Sequence, residues 1–570
     1  MTRKDGGLLL AETLRHAGVE KVFALHGGHL EALFRGCVEN DIELVDFRHE
    51  SSAGHAAEAY ARVTGKLGVC VATAGPGFTN AVSAIANAQL DGIPVLFIIG
   101  APPLREAETN ALQGGLDQMA MSATASKWAH RITNTERIPD ITAMAIRKAV
   151  SGRKGAVVLE LPIDVLHMTV NASRATTPTG SANAPRPHAS PEEISRALDV
   201  LHTAKRPAIV CGIEAAHARC GDALAKLAEI VGAPVFATAR GMGVLPAAHR
   251  LNGQIVGNLA LLGNVKPDAI LLLGQRLGLR MGGRGDSLLP RSAALMQVQN
   301  DAAEMGRIRD IAVAISADSG AVCEQLSEAA TLRSWPERSA WCEKAVAAKN
   351  GLDLQYPQRE TQAGIHPYHA AKCAIAAAGK AIFVLDGGEA ASWAAHHVRA
   401  NEPGEVIGLG YLGCLGTGPG HAIGAQIAAP SKRVVQITGD GAMGFHVGEF
   451  DIMARRALPI VTVVLNNEVW GMSIHGQQIM YGESYSAISK LGNTHYARIA
   501  EAFGCHGERV SRYEDIGPAM ERAFNSGKPA CVEIMTDPDA MHPVTSAALG
   551  MVEAGSGDTL IPYYENIPAD

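Results

Sequence analysis

The stretch Val434-Val435-Gln436-Ile437-Thr438-Gly439-Asp440-Gly441-Ala442 passes from a strand-length apolar run directly into a Gly-Asp-Gly turn. A second apolar run, 460–465, ends in Asn466-Asn467. Asp440 and Asn467 lie 27 positions apart. In a strand–helix–strand crossover of that length both stand at the carboxyl ends of parallel strands, where open α/β sheets bind ligands. The residue types suit one chemistry. A magnesium ion takes hard oxygen ligands, one or two from the protein and the rest from phosphate or water. Asp440 offers a carboxylate, Asn467 an amide oxygen, and the backbone near Val469 a carbonyl. Gly439 and Gly441 let the chain approach a diphosphate closely, with helix N-terminal amides facing the anion. Gly-Asp-Gly alone is a common turn; the strand-terminal Asn-Asn at this distance supplies the specificity.

Outward from this pair, the same kind of run recurs at 22–25, 69–73, 95–99, 208–211, 270–273 and 382–385, with helical segments between. Continuous apolar strands alternating with helices predict an α/β fold of doubly wound parallel sheets covered on both faces. Two stretches, 171–190 and 351–367, are rich in Pro and polar residues and lack apolar periodicity, so they read as linkers. They cut the 570 residues into three units of similar size, as a chain too long for one core requires.

The formal charge of −7 is mild for this length, and no basic run or basic–aromatic patch occurs, which argues against nucleic-acid partners. The ten cysteines are scattered without a Cys-x-x-Cys pair, so neither a disulfide framework nor a cysteine zinc site is expected. A reduced, cytoplasmic setting is expected instead. The apolar run Leu8-Leu9-Leu10 is too short for a signal peptide, and no run reaches the ~20 residues of a membrane helix.

Gly439-Asp440-Gly441 followed by Asn466-Asn467 resembles the signature of thiamine-diphosphate-dependent enzymes. A second element agrees: Asp46-Phe47-Arg48-His49-Glu50, then Ala53-Gly54-His55-Ala56-Ala57-Glu58-Ala59-Tyr60-Ala61-Arg62. The resemblance runs nearly end to end. It implies a pyrimidine-binding domain at 1–175, a central domain at 190–350, a diphosphate-binding domain at 365–550 and a tail at 551–570. It further implies thiamine diphosphate and Mg2+ as cofactors, and a homodimer at minimum, with a homotetramer expected. Under this resemblance Glu50 hydrogen-bonds the aminopyrimidine and promotes loss of the thiazolium C2 proton. Leu415 is the wedge that folds the cofactor, and the Gly413 carbonyl grips the pyrimidine. Gly388 and Glu389, after the run 382–385, reach the diphosphate end. Asp440, Asn467 and the Val469 carbonyl hold the metal, with Gly439, Gly441, Ala442, Trp470 and Gly471 around them. Gly416-Thr417-Gly418-Pro419-Gly420 lacks the strand and downstream acid of a dinucleotide loop.

Within the superfamily, the segments 25–30 and 106–117, with Lys127-Trp128-Ala129-His130, look most like benzaldehyde lyases. By that likeness His29 and Gln113 handle the substrate hydroxyl and carbonyl, and His26 joins them in acid–base work. Histidine is the side chain whose charge changes near neutral pH. Gly28, Ile163, Ala391, Leu409, Met472 and Gly476 are the expected pocket. Ile163, Ala391 and Gly476 stand where aromatic residues are usual, so short aliphatic aldehydes, hydroxyketones or 2-keto acids are expected substrates. The alternatives are an acetolactate-synthase-like 2-keto acid decarboxylase and carboligase, a 2-hydroxyacyl-CoA lyase, and a cofactor-binding remnant without activity. The segment Leu273-Gly274-Gln275-Arg276-Leu277-Gly278-Leu279 lacks the paired aspartates of a flavin site, so FAD is not expected.

Overall fold

The computed structural model describes residues 2–106, 109, 112–176, 178, 184–408, 410–549, 552–553 and 559–560. Three six-stranded sheets carry the fold. In spatial order the first runs Glu43–Asp46, Lys21–Ala24, Gly68–Ala72, Val95–Ala101, Ala156–Pro162 and Trp128–Arg131. The central sheet runs Asn252–Ile255, Val235–Ala237, Pro207–Cys211, Ala269–Leu273, Ala294–Gln299 and Val313–Ser316. The third runs Val406–Ile407, Ile382–Leu385, Val434–Gly439, Val461–Asn466, Ala530–Met535 and His506–Val510. Their strands pair in parallel, as the unbroken apolar runs predict: a strand covered on both faces has no polar side to alternate with.

Numbered along the chain within each sheet, the first and third share the order 2-1-3-4-6-5, while the central sheet is 3-2-1-4-5-6. The chain reverses its direction of travel beside strand 1 in every case. That leaves a crevice at the carboxyl ends of strands 1 and 3 in the outer sheets. In the first sheet Lys21–Ala24 and Gly68–Ala72 open it; in the third, Ile382–Leu385 and Val434–Gly439 do. The third sheet also pairs Gly439 with Leu465, so Asp440 and Asn466 leave it side by side.

The chain forms two compact units. One comprises Met1–Pro185, Leu409–Val434 and Phe445–Ile460; the other comprises Arg186–Gly408, Val435–Gly444 and Val461–Asp570. In the first unit, the helix Glu50–Thr64 packs on the helix Gly418–Ala428 backbone to backbone. A Cβ on Gly420 would stand 2.5 Å from the Ser52 carbonyl oxygen, and one on Gly424 2.2 Å from that of Ala56. The Ala-, Ser- and Gly-rich sequence of both helices is what permits this approach.

The expected linkers are more ordered than their composition suggests. Segment 351–367 contains the short helix Gly351–Gln355 and a hairpin of Glu360–Thr361 with Gly364–Ile365. Tyr356 there meets the buried Trp393 edge-on at 5.2 Å, which fixes a stretch that hydropathy alone leaves loose. Thr169–Asn171, at the start of the other linker, pairs antiparallel with Arg3–Asp5. Among the described residues, no helix is long and apolar enough to cross a membrane.

Candidate active site

In the first unit Glu50 opens the helix Glu50–Thr64, capped by His49 Nδ1, which accepts from the Ser51 amide at 3.1 Å. The Glu50 carboxyl is 6% exposed, and Asn80 Nδ2 donates to its Oε2 at 3.0 Å. The Asn80 amide thus fixes the orientation of a carboxyl held at the head of a buried helix. The first sheet's crevice gathers a second group. His29 Nδ1 and Thr73 Oγ1 are 3.1 Å apart, and the Thr73 hydroxyl reaches Gln113 Oε1 at 3.5 Å. Burial lowers the His29 pKa, partly offset by a hydrogen bond to the Leu112 backbone. A neutral imidazole at neutral pH accepts a proton. Gln113 takes a left-handed backbone, φ +60°, a strained geometry for a non-glycine residue and one concentrated at functional sites.

His29, Thr73 and Gln113 thus come together, while His26 does not join them. It is exposed, 2.6 Å from Glu31 Oε1, and stacks on Phe34. Gly28 faces open space and Ile163 is half-buried at the end of the strand Ala156–Pro162. Gln118 was missed by sequence reasoning. Its Oε1 accepts from Gly75 N at 2.8 Å, and its Nε2 donates to the Gly100 carbonyl at 3.0 Å and to Glu160 Oε1 at 2.8 Å. Gly413 (φ +75°) and half-buried Leu415 also lie in this unit, and the Gly416 carbonyl oxygen sits 2.8 Å from His446 Nδ1.

In the second unit the third sheet's crevice holds Asp440, Asn467 and Val469. The Asn467 side-chain amide atom facing them stands 3.2 Å from Asp440 Oδ1 and 2.9 Å from the Val469 carbonyl oxygen. Two assignments fit. As nitrogen, that atom donates to both oxygens; as oxygen, it completes three converging ligands. Metal–oxygen bonds of about 2.0–2.1 Å at right angles place neighbouring ligands about 2.9 Å apart, so the donor set fits a magnesium ion. Burial pushes the Asp440 carboxyl up to about 7, against amide donors at Gly441, Asp440 and Glu468. A buried carboxylate of this kind is relieved by a cation.

The supports of this turn were not foreseen. Tyr496 Oη donates to the Asp440 carbonyl at 2.7 Å. Asn466 Nδ2 donates to Glu533 Oε1 at 2.7 Å, and Glu533 Oε2 accepts from Ala497 N at 3.1 Å. Glu468 sits at φ +60° with its N–H on Asn466 Oδ1. Glu533 and Glu160 carried a readable signal: each is a lone acid inside an apolar strand, and buried acids are rare unless paired.

Gly441 is explained by Trp470, because a Cβ there would stand 2.4 Å from the indole. Ala442 is buried at the start of the same helical turn. Glu389 begins the helix Glu389–Ala395 and acts as a strut. Its Oε2 is 2.9 Å from His475 Nδ1, and its Oε1 accepts from Thr545 Oγ1 at 2.5 Å and His542 N at 3.2 Å. Burial would lower the His475 pKa, but Glu389 and the Pro538 carbonyl raise it overall. Gly388 lies against Met472, and Gly471 beside Glu389 and Asn467. Ala391 is buried, and Leu549 occupies the space beside Gly476, 2.4 Å from where a Cβ would be. Leu409 lies outside the described residues, as does most of the tail 551–570.

Family comparison covers all three domains. Residues 4–121 match the N-terminal TPP binding domain of thiamine pyrophosphate enzymes, 194–326 the central domain, and 386–534 the C-terminal TPP binding domain. A probable acetolactate synthase of Mycobacterium bovis is 32% identical over 542 residues, covering 94% of this chain and 96% of its own. An acetolactate synthase large subunit of Parasynechococcus marenigrum is 31% identical, covering 93% and 87%. The acetolactate synthase isozyme 2 large subunit of Escherichia coli is 29% identical, covering 94% and 96%. These three relatives are named acetolactate synthases, so they do not show the expected nearness to benzaldehyde lyases. With three matching domains and relatives aligned along nearly its whole length, the chain belongs to the thiamine pyrophosphate enzyme family.

Proposed function

We propose that this enzyme is a carboligase of the acetolactate synthase type. It takes a 2-keto acid as acyl donor, releases carbon dioxide and joins the acyl unit to a second carbonyl compound. The likeness to acetolactate synthases over 94% of the chain carries this reading. Thiamine diphosphate, when bound, supplies an acidic C2–H whose conjugate base attacks carbonyl carbon. Asp440, Asn467 and the Val469 carbonyl would hold Mg2+, which would bind the diphosphate, the fit supported by the convergence of these three groups. Glu50 shares a proton with the aminopyrimidine, held in orientation by Asn80. Leu415 and the Gly413 carbonyl seat the ring. His29, poised neutral, takes or returns a proton at the substrate oxygen, and Gln113 hydrogen-bonds the carbonyl. A homodimer at minimum, with a tetramer expected, goes with this assignment.

A second reading keeps the same residues but starts from aldehydes or hydroxyketones, forming or cleaving acyloins without loss of carbon dioxide. The His29–Thr73–Gln113 group favours it, since those side chains suit a substrate hydroxyl. One experiment separates the two. Holoenzyme with thiamine diphosphate and Mg2+ is incubated with pyruvate, and separately with acetoin or benzoin. Carbon dioxide and a branched 2-hydroxy-3-keto acid from pyruvate support the first reading. Aldehyde release from acyloins, with pyruvate untouched, replaces it by the second, and turnover of neither overturns both.

A further inference from the structure

The first unit holds a buried charged network away from the groups described above. Arg62 Nη2 donates to Glu58 Oε1 and, at 2.7 Å, to Asp91 Oδ2. Glu58 Oε2 accepts from Asn87 Nδ2 at 2.8 Å and lies 3.4 Å from His421 Nε2 and 3.6 Å from His55 Nδ1. All of these side chains are under a tenth exposed. The trio His55, Glu58 and His421 has donor atoms within 4.8 Å of one another, a spacing that metal ligands also show. Here both Glu58 oxygens already accept hydrogen bonds, and a guanidinium already answers its charge, so the group reads as an ion-pair relay. Burial would raise the Glu58 pKa, but Arg62 and His421 hold it well below the usual carboxylate range. Glu58 and Arg62 therefore face each other as a buried charged pair.

The far end of the relay touches the chain that leads to the expected pyrimidine cradle. Asp91 Oδ1 accepts from Tyr411 N at 2.8 Å. Gly410 lies so close that a Cβ would stand 2.5 Å from Asp91 Oδ2 and 2.6 Å from Asn87 Oδ1. The loop 410–416 is thus fastened at its start to Asp91 and at its end through the Gly416 carbonyl to His446. The helix that follows, Gly418–Ala428, carries His421 back to Glu58.

We propose that Asp91 is a positioning residue for the cofactor: held by Arg62 and Glu58, it fixes the backbone of Gly410-Tyr411 and thereby the seat of Gly413 and Leu415. The inference rests on the reading that this loop seats the aminopyrimidine. The test uses holoprotein variants Asp91→Asn, Asp91→Ala and Gly410→Ala, with Glu50→Gln in parallel. Calorimetry gives the thiamine diphosphate Kd, and deuterium exchange at C2, normalised to bound cofactor, gives the rate per occupied site. Asp91→Asn keeps an acceptor for Tyr411 N but loses the negative charge that faces Arg62, so its effect is the smaller. Asp91→Ala and Gly410→Ala should each weaken cofactor binding and slow exchange per occupied site by about tenfold to a hundredfold, as small displacements of catalytic geometry do. Gly410→Ala keeps every charged group of the relay but forces the loop and Asp91 apart at their contact, so it decides the matter if Asp91→Ala fails to fold. Wild-type exchange per occupied site in the folded Asp91 and Gly410 variants, with Glu50→Gln impaired, overturns this inference alone. Wild-type exchange in Glu50→Gln overturns the cofactor reading and this inference with it.

Discussion

A methyl group on Gly441 would stand 2.4, 2.6 and 2.9 Å from Trp470 Cζ3, Cε3 and Cη2. Carbon atoms rest about 3.5–4.0 Å apart, so in Gly441→Ala the indole must retreat by about 1 Å. It has little freedom to do so, because Trp470 N donates to the Ser489 carbonyl at 2.8 Å and the next residue opens the helix Gly471–Tyr481. The displacement therefore passes to Val469, whose carbonyl is one of the three converging oxygens. Overpacking on this scale costs about 1–3 kcal/mol. Charged to cofactor binding, that is about 5- to 150-fold in Kd. Titration calorimetry of the variant with thiamine diphosphate and excess Mg2+ measures it, with thermal unfolding alongside. Adding Trp470→Leu should recover part of the loss by removing the ring. A Gly441→Ala protein with wild-type Kd would refute the argument that this glycine exists to seat Trp470 beneath the metal ligands.

If Asp440 is a ligand of the proposed magnesium site, Asp440→Ala removes one of few protein oxygens there, and magnesium-dependent binding of thiamine diphosphate should disappear from the calorimetric trace. Glu449 is buried, and burial raises its carboxyl from 4.5 to about 7 against donors at Arg48 N, 3.3 Å away, the Ser52 hydroxyl and the His49 amide. A raised folded pKa means stability that is complete below pH 4.5 and lost as pH rises through 7, about 3 kcal/mol in all. Glu449→Gln should therefore stabilise the protein at pH 8 and change little at pH 4; equal unfolding midpoints for both proteins at pH 8 would contradict it. Met472, packed beside Gly388, should narrow the pocket. Met472→Ala should shift kcat/KM toward aromatic acceptors by about tenfold, as a few methylenes in an apolar pocket are worth, and an unchanged ratio would remove Met472 from the pocket.

The parallel sheets were legible because a strand buried on both faces writes itself as an unbroken apolar run, as at 95–99 and 269–273. Edge strands such as Glu43–Asp46 and His506–Val510 escaped notice, since half-exposed residues break that run. Asp440 and Asn467 stood out by residue type at a fixed spacing, whereas Glu50 stood out only through the family resemblance. Thr73, Gln118, Tyr496 and Asp91 did not, because each acts across a distance in sequence that only the crossovers close. Glu389 shows the opposite failure. Its position after a strand pointed to an anion site, but its carboxylate is committed to His475, Thr545 and the His542 amide. The relatives' names, rather than any motif, moved the substrate reading from aldehydes to 2-keto acids.

The glycine-to-backbone seam between Glu50–Thr64 and Gly418–Ala428 has a consequence for motion. Helices joined through side chains can slip by exchanging rotamers, but here no side chain intervenes at Gly420 or Gly424 to be exchanged. The two helices must part together or remain together. Their amide hydrogens should accordingly exchange with solvent in one slow, shared opening rather than fraying separately. A carboxylate at the head of such a pair inherits its stillness, so Glu50 keeps its place through the fluctuations that move surface loops.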